Sequence, residues 1–258
     1  MIIIIRGHIR NSFDSQLLFN FVNELNKTYS DLKIYIHTWS IYSNSISHRE
    51  INENKTQVTD TFIYNYFKDL SHLIKHIIID DDTNIQLIGN ISGNINNGGM
   101  PIIGWKNYWY GQYQIVNYVY NLNKDNNEPI INTRFDLFNN SNNFSHQIVL
   151  KFIKKYINSS FNKNEFLFND EKHCGIDNIF IGNIKTMHKL IHMFNYSLDD
   201  ILIHNNDTIH QEFLVYRINS TIFCFPQPPK PKPQPHPKPQ PHPKPHPHPK
   251  PQRLWRLF

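Results

Sequence analysis

Arg134 and Asp136 are the first residues whose types and spacing could do chemistry together. They close residues 129–138, PIINTRFDLF, an apolar β-branched run that follows a proline and ends in a polar NNSNN. Such a run reads as a buried strand whose last residues emerge at a sheet edge. In an open α/β sheet the carboxyl-end rim of the strands is where ligands bind. A guanidinium fork there suits a diphosphate, and a carboxylate expected to face solvent suits a hard cation. The alternative at this point is an Arg–Asp pair that only neutralises itself.

Three further groups fall where strands are expected to end. Residues 1–5 are a β-branched run leading into Arg6, Gly7, His8 and Arg10. A second strand at 34–36 ends in His37, Thr38 and Trp39, and a third at 77–79 runs into Asp80, Asp81 and Asp82. Between them Phe13, Leu17, Leu18, Phe21, Val22 and Leu25 fall at helical spacing after the capping candidates Asn11 and Ser12. Phe62, Tyr66, Leu70 and Leu73 do so after Thr59 or Asp60. A third helix is expected from Trp109 through Tyr113, Val116 and Tyr120. Strands alternating with helices predict an α/β fold with a mostly parallel sheet, right-handed crossovers and one ligand rim.

Beyond the central strand the sequence predicts a helix at 148–156, a strand at 165–168 and a Gly-punctuated loop at 173–183 carrying Asp177. Helical periods follow around Met187, Ile191 and Phe194 and again over 204–218, with His210 and Glu212 in the second. A last strand is expected over 221–225. Residues 1–225 then form one domain. Residues 226–258 are a different polymer, holding fourteen of the 16 prolines, in an approximate PKPQPH repeat. Alternating proline removes backbone donors and leaves a solvated polyproline II spacer.

The chain has 258 residues, a formal charge of +5 and 26 basic residues. Seven of those bases lie in the tail, which has no acid, so 19 bases face 21 acids in the domain. The domain therefore has no general phosphate-binding face, and no specific nucleic-acid partner is expected. The tail, ending in RLWRLF, could contact polyanions, a membrane surface or a partner protein. No apolar run approaches the ~20 residues of a membrane span, and Arg6 interrupts any signal-peptide layout. Two cysteines, Cys174 and Cys224, make neither a disulfide framework nor a zinc motif. Neither G-x-G-x-x-G nor G-x-x-x-x-G-K-S/T occurs, which disfavours dehydrogenases and P-loop nucleotidases.

The succession IIIIRGHIRNSF, IYIHTW, IINTRFDLF, DNIFIGNIKTMHKL and HQEFLVYRI resembles a family of GT-A-like glycosyltransferases related to lipopolysaccharide and capsular polysaccharide synthesis proteins of bacteria and large DNA viruses. The resemblance covers about residues 1–218. It implies a GT-A-like, Rossmann-like domain that moves a sugar from a nucleotide-sugar donor to a glycan or other hydroxyl acceptor. It places Gly7, His8, Arg10, His37, Thr38 and Trp39 on the nucleotide side and puts Arg134 and Asp136 where such enzymes carry Asp-x-Asp. Asp136 then binds the diphosphate or a Mn²⁺ or Mg²⁺ ion, Arg134 stabilises the leaving diphosphate, and Asp177 is the catalytic base. Arg134 replaces the first acid of that pair, which weakens the case for a metal. The implied location is the cytoplasm or a virion. Two rival readings are a non-catalytic glycan- or partner-binding protein on a degenerate transferase fold, and a metal-dependent phosphoesterase using Asp80 to Asp82.

A tail with no apolar face along its repeat should not stabilise the domain. Truncation after Phe225 is expected to leave the melting temperature unchanged and to weaken only salt-sensitive binding to polyanions or anionic vesicles. Aggregation of the truncated chain would show instead that the tail packs on the domain.

Overall fold

The computed structural model describes residues 1–44, 53–95, 100–139, 144–169, 174–206 and 211–221. The expected tail, His210, and the expected last strand beyond Thr221 lie outside them. A six-stranded sheet is built from β1 (Ile2–Arg6), β2 (Lys33–Trp39), β5 (Ile74–Asp80), β6 (Ile130–Arg134), β7 (Glu165–Asn169) and β8 (Cys174–Gly182), in the order β5-β2-β1-β6-β8-β7. The first four are parallel, and β8 runs antiparallel to both β6 and β7. A two-stranded antiparallel pair, β3 (Ile41–Ser43) with β4 (Asn54–Gln57), stands beside it.

Strand parity sets two cores. Ile3, Ile5, Ile34, Ile36 and Ile131 face one side, with apolar residues of α1 (Leu17–Thr28), α2 (Asp60–Phe67) and α4 (His146–Tyr156). Ile2, Ile4, Tyr35 and Ile130 face the other, with α3 (Ile102–Asn123), α5 (Ile184–His204) and α6 (Gln211–Thr221). Helices on both faces are what right-handed crossovers demand when strand order first runs outward from β1 and then reverses. The reversal lies between β1 and β6, so the crevice at their carboxyl ends is the topological switch point.

Several elements differ from the sequence reading. Asn11 and Ser12 do not start α1: residues Ser12–Asp14 form a 3₁₀ turn without a side-chain cap, and α1 begins at Leu17. Phe13 leaves the helix pattern because its ring stacks on Tyr66 of α2 at 3.8 Å. The Tyr66 hydroxyl also donates to Ser15 O and accepts from Phe19 N. Thr59 caps α2 as expected, accepting from Phe62 N. His37 to Trp39 belong to β2 rather than to the chain after it. α3 starts at Ile102, seven residues before Trp109. Thr221 ends a helix rather than opening a strand.

The largest difference is β8, read from sequence as a loop because of its glycines. Those glycines serve close approach instead. A Cβ on Gly175 would lie 2.4 Å from Phe166 Cβ, and one on Gly182 2.3 Å from Asn164 Oδ1. Gly111 of α3 plays the same part against β2: its Cβ would sit 2.5 Å from His37 Cε1. Gly111→Ala should therefore cost about 1–3 kcal/mol through overpacking, read as a lowered melting temperature. An unchanged value would mean that α3 stands further from β2 than described.

Candidate functional site

Register brings the polar residues together. Arg6 is the last residue of β1 and pairs with His37 on one side and Arg134 on the other. By parity Arg6, His37, Asn132 and Arg134 share the face covered by α3. The chain then turns sharply over the end of β1. Gly7 takes φ +95°, open to glycine at little cost, and donates its N–H to His37 O at 3.1 Å. Arg10 holds φ +53°, unusual for a residue with a Cβ, and its N–H bonds Tyr42 O. That turn lays Arg10 beside Asp136.

Asp136 is the centre of the cluster. Its carboxylate accepts from Arg134 Nε and Nη2, both at 2.7 Å, and from Arg10 Nη1 at 2.6 Å. Arg134 Nη1 reaches Asn178 Oδ1 at 3.2 Å, so the guanidinium is held on both edges. Asp136 is 3% exposed and does not face solvent as the sequence suggested. Burial alone would raise its pKa, but Arg134 and Arg10 outweigh it and hold the carboxyl well below the usual range.

Arg6 lies behind this pair, 1% exposed. Its Nε donates to Asn132 Oδ1 at 2.8 Å and its Nη2 to Asp177 O at 2.7 Å. The guanidinium carbon sits 4.6 Å from the Tyr108 ring centroid, a cation–π contact. Tyr108 OH donates to the same Asp177 carbonyl at 2.9 Å. Asp177, 5% exposed, accepts from Gln211 Nε2 at 3.0 Å. Burial pushes its carboxyl pKa up and the nearby Glu212 adds to the rise, while Arg6 and Arg134 offset part of it. A carboxyl raised in this way is poised to exchange a proton nearer neutral pH.

The remaining predicted residues form a flank. His37 is fully buried, with Nε2 at 3.2 Å from Asp80 Oδ2. Trp39 is buried in stacking contact with His8 at 5.7 Å and Tyr110 at 6.1 Å. Burial first, then Arg10, pushes the His8 imidazole down to about 3, so it is neutral. Thr38 is buried and, by parity, turns to the α1 and α2 side, away from the cluster. His37, Thr38 and Trp39 thus back the rim through packing. Asp81 caps its own turn through Thr83 and Asn84, and Asp82 pairs with Asn44 and lies 3.8 Å from His8 Nε2.

The donor set fits a divalent cation poorly. Both Asp136 oxygens already accept from guanidinia, whose positive charge repels a metal ion. Among the described residues no group of three or more His, Cys, Asp or Glu side chains is arranged to hold one. The cluster gathers three guanidinia whose forks suit an anion, with Asp136 held ionised between two of them and the carboxyls of Asp177 and Glu212 nearby. Tyr108, Asn132, Asn178 and Gln211 complete it and escaped the sequence reading, although Asn178 and Gln211 adjoin the flagged Asp177 and Glu212.

No protein-family model matches the sequence, and no curated protein matches it. No helix among the described residues is long and apolar enough to cross a membrane.

The ion cluster has a pH signature. A carboxyl whose folded pKa lies below its unfolded value, about 3.9, stabilises fully above that value. The contribution is lost as pH falls through the depressed folded pKa. Asp136→Asn should therefore destabilise the domain by about 3–5 kcal/mol at pH 7, since it removes the charge that two guanidinia share. In denaturant titrations the gap to wild type should narrow as pH drops below about 4. A gap independent of pH would assign the loss to packing.

Proposed function

We propose that the domain is a GT-A-like glycosyltransferase that moves a sugar from a nucleoside-diphosphate donor to a glycan or other hydroxyl acceptor. The observation that carries this reading is the placement of Arg6, Arg10 and Arg134 around the switch point between β1 and β6. A crevice at that point suits a nucleotide, and clustered guanidinia suit its diphosphate. The order of the five motifs along the chain supports the same assignment.

In an inverting transfer, the acceptor oxygen bonds to the anomeric carbon of the donor as the bond from that carbon to the diphosphate oxygen breaks. The leaving diphosphate takes the electron pair, and its charge is met by the guanidinia already in place. The acceptor proton passes to Asp177, whose raised pKa makes it a competent base once ionised. Arg134 then serves as charge stabiliser and Asp136 as the group that orients it. A retaining transfer would need no such base.

One observation favours a second reading, a glycan- or partner-binding protein on a degenerate transferase fold. Asp177 is buried and engaged by Gln211 and so has limited access to an acceptor. The two separate by experiment. A nucleotide-sugar donor at about a hundredfold over its Kd should stabilise the full-length protein by about 2.7 kcal/mol, and the right donor and acceptor should give product. A full panel with neither stabilisation nor turnover would sink the transferase reading.

Asp177→Asn should keep donor affinity and lower turnover about 10²- to 10⁴-fold. Because Asp177 acts ionised, activity should climb with pH through its raised pKa. Glu212→Gln removes one cause of the rise and should move that limb to lower pH. A profile unmoved by Glu212→Gln, or equal loss of binding and turnover in Asp177→Asn, would make Asp177 a structural residue.

A further inference from the structure

Resting on the transferase reading, we infer that the arginine cluster is itself the counter-charge of the donor diphosphate and that the site works without a divalent cation. Three independent observations carry this. The first is occupancy: three guanidinium N–H groups reach the two oxygens of Asp136 at 2.6–2.7 Å and take most of its acceptor sites. A metal bound there would sit against two positive charges. A phosphate has no such conflict.

The second is charge placement. Arg6, Arg10 and Arg134 bring three guanidinia to one rim, beside the carboxylates of Asp136 and Asp177 and the nearby Glu212. Fixed guanidinium forks at that place suit a diphosphate better than a cation. The third is a missing acceptor. Arg6 Nη1 is buried without a hydrogen-bond partner, although Nε and Nη2 of the same fork are satisfied. A buried charged donor left unpaired is costly, and a phosphoryl oxygen would complete it. Asp136 becomes a positioning residue, setting the Arg134 fork and Arg10 at fixed angles before the donor arrives. The nucleophile and leaving group are unchanged: as the sugar departs, the diphosphate keeps the electron pair and the arginines keep its charge neutralised.

The test is calorimetric titration of the full-length protein with UDP, GDP, CDP and ADP, first in EDTA and then in excess Mn²⁺ or Mg²⁺. Expected is binding of at least one of them with the same affinity in both buffers, within about twofold. Arg134→Lys, which keeps the charge and loses the fork, should weaken that binding about tenfold in EDTA. Asp136→Asn should change affinity by one common factor in both buffers, whereas loss of a metal ligand would erase only the Mn²⁺ effect. Binding that needs the cation, or gains tenfold or more from it, overturns the metal-free site and leaves the transferase reading standing. No binding of any diphosphate in either buffer overturns both. Should Arg134→Lys fail to fold, the comparison of wild type in the two buffers decides alone.

Discussion

A carboxylate held between two guanidinia fixes most of what surrounds it. Asp136 follows β6, Arg10 follows β1 and Arg134 ends β6, so their three bonds tie together the two strands that flank the switch point. They also justify a backbone that would otherwise be unfavourable. Arg10 sits at positive φ, a strain of about 1–2 kcal/mol, and the charge-assisted bond to Asp136 is what that conformation makes possible. Removing the carboxylate releases two charges and a strained turn at once.

Behind the cluster the sheet acts as a ruler. Residues that share parity on adjacent strands share a face, so Arg6, His37 and Arg134 stand in a row without any contact between their chain segments in sequence. Toward the amino ends of β1 and β6 the face turns apolar, with Ile2, Ile4 and Ile130 packed with α3 and α5. Tyr108 closes the Arg6 side with its ring and reaches past to the Asp177 carbonyl with its hydroxyl. Burial strengthens each of these interactions and makes an unsatisfied donor such as Arg6 Nη1 correspondingly costly.

The sheet's parallel half was legible in the sequence because β-branched runs ending in polar residues recur at β1, β2, β5 and β6, each followed by a helical period. The rim residues Arg6, Arg10, Arg134 and Asp136 were legible for the same reason: they terminate those runs. The partners were not. Tyr108 lies in a helix whose start was misplaced by seven residues, since its first turns, Ile102 to Trp109, carry no cap that marks them. β8 was hidden by Gly175 and Gly182, which look like loop punctuation until Phe166 and Asn164 are seen to occupy the space a Cβ would need. His37 and Trp39 stand out by type, yet α3 buries His37 through the approach at Gly111 and stacks Tyr110 on Trp39. A sequence shows that a His ends a strand; it does not show which helix will cover it.

The single antiparallel member of the main sheet's inner strands changes what kind of residue reaches the rim. Because β8 runs against β6, its early residues, Asp177 and Asn178, arrive at the end where β6 finishes, with Thr133 opposite Ile179. A parallel strand would have delivered its last residue and then a connecting segment. Here the carboxyl group belongs to a strand whose next residues, Ile179 to Gly182, are paired with β6, and it sits where the β7–β8 register shifts. The segments after Gly182 depart from the opposite edge of the sheet. The chain nevertheless returns to the rim in α6, where Gln211 donates to Asp177, so the segment that follows β8 cannot be recomposed there without moving a hydrogen-bond partner of that carboxyl.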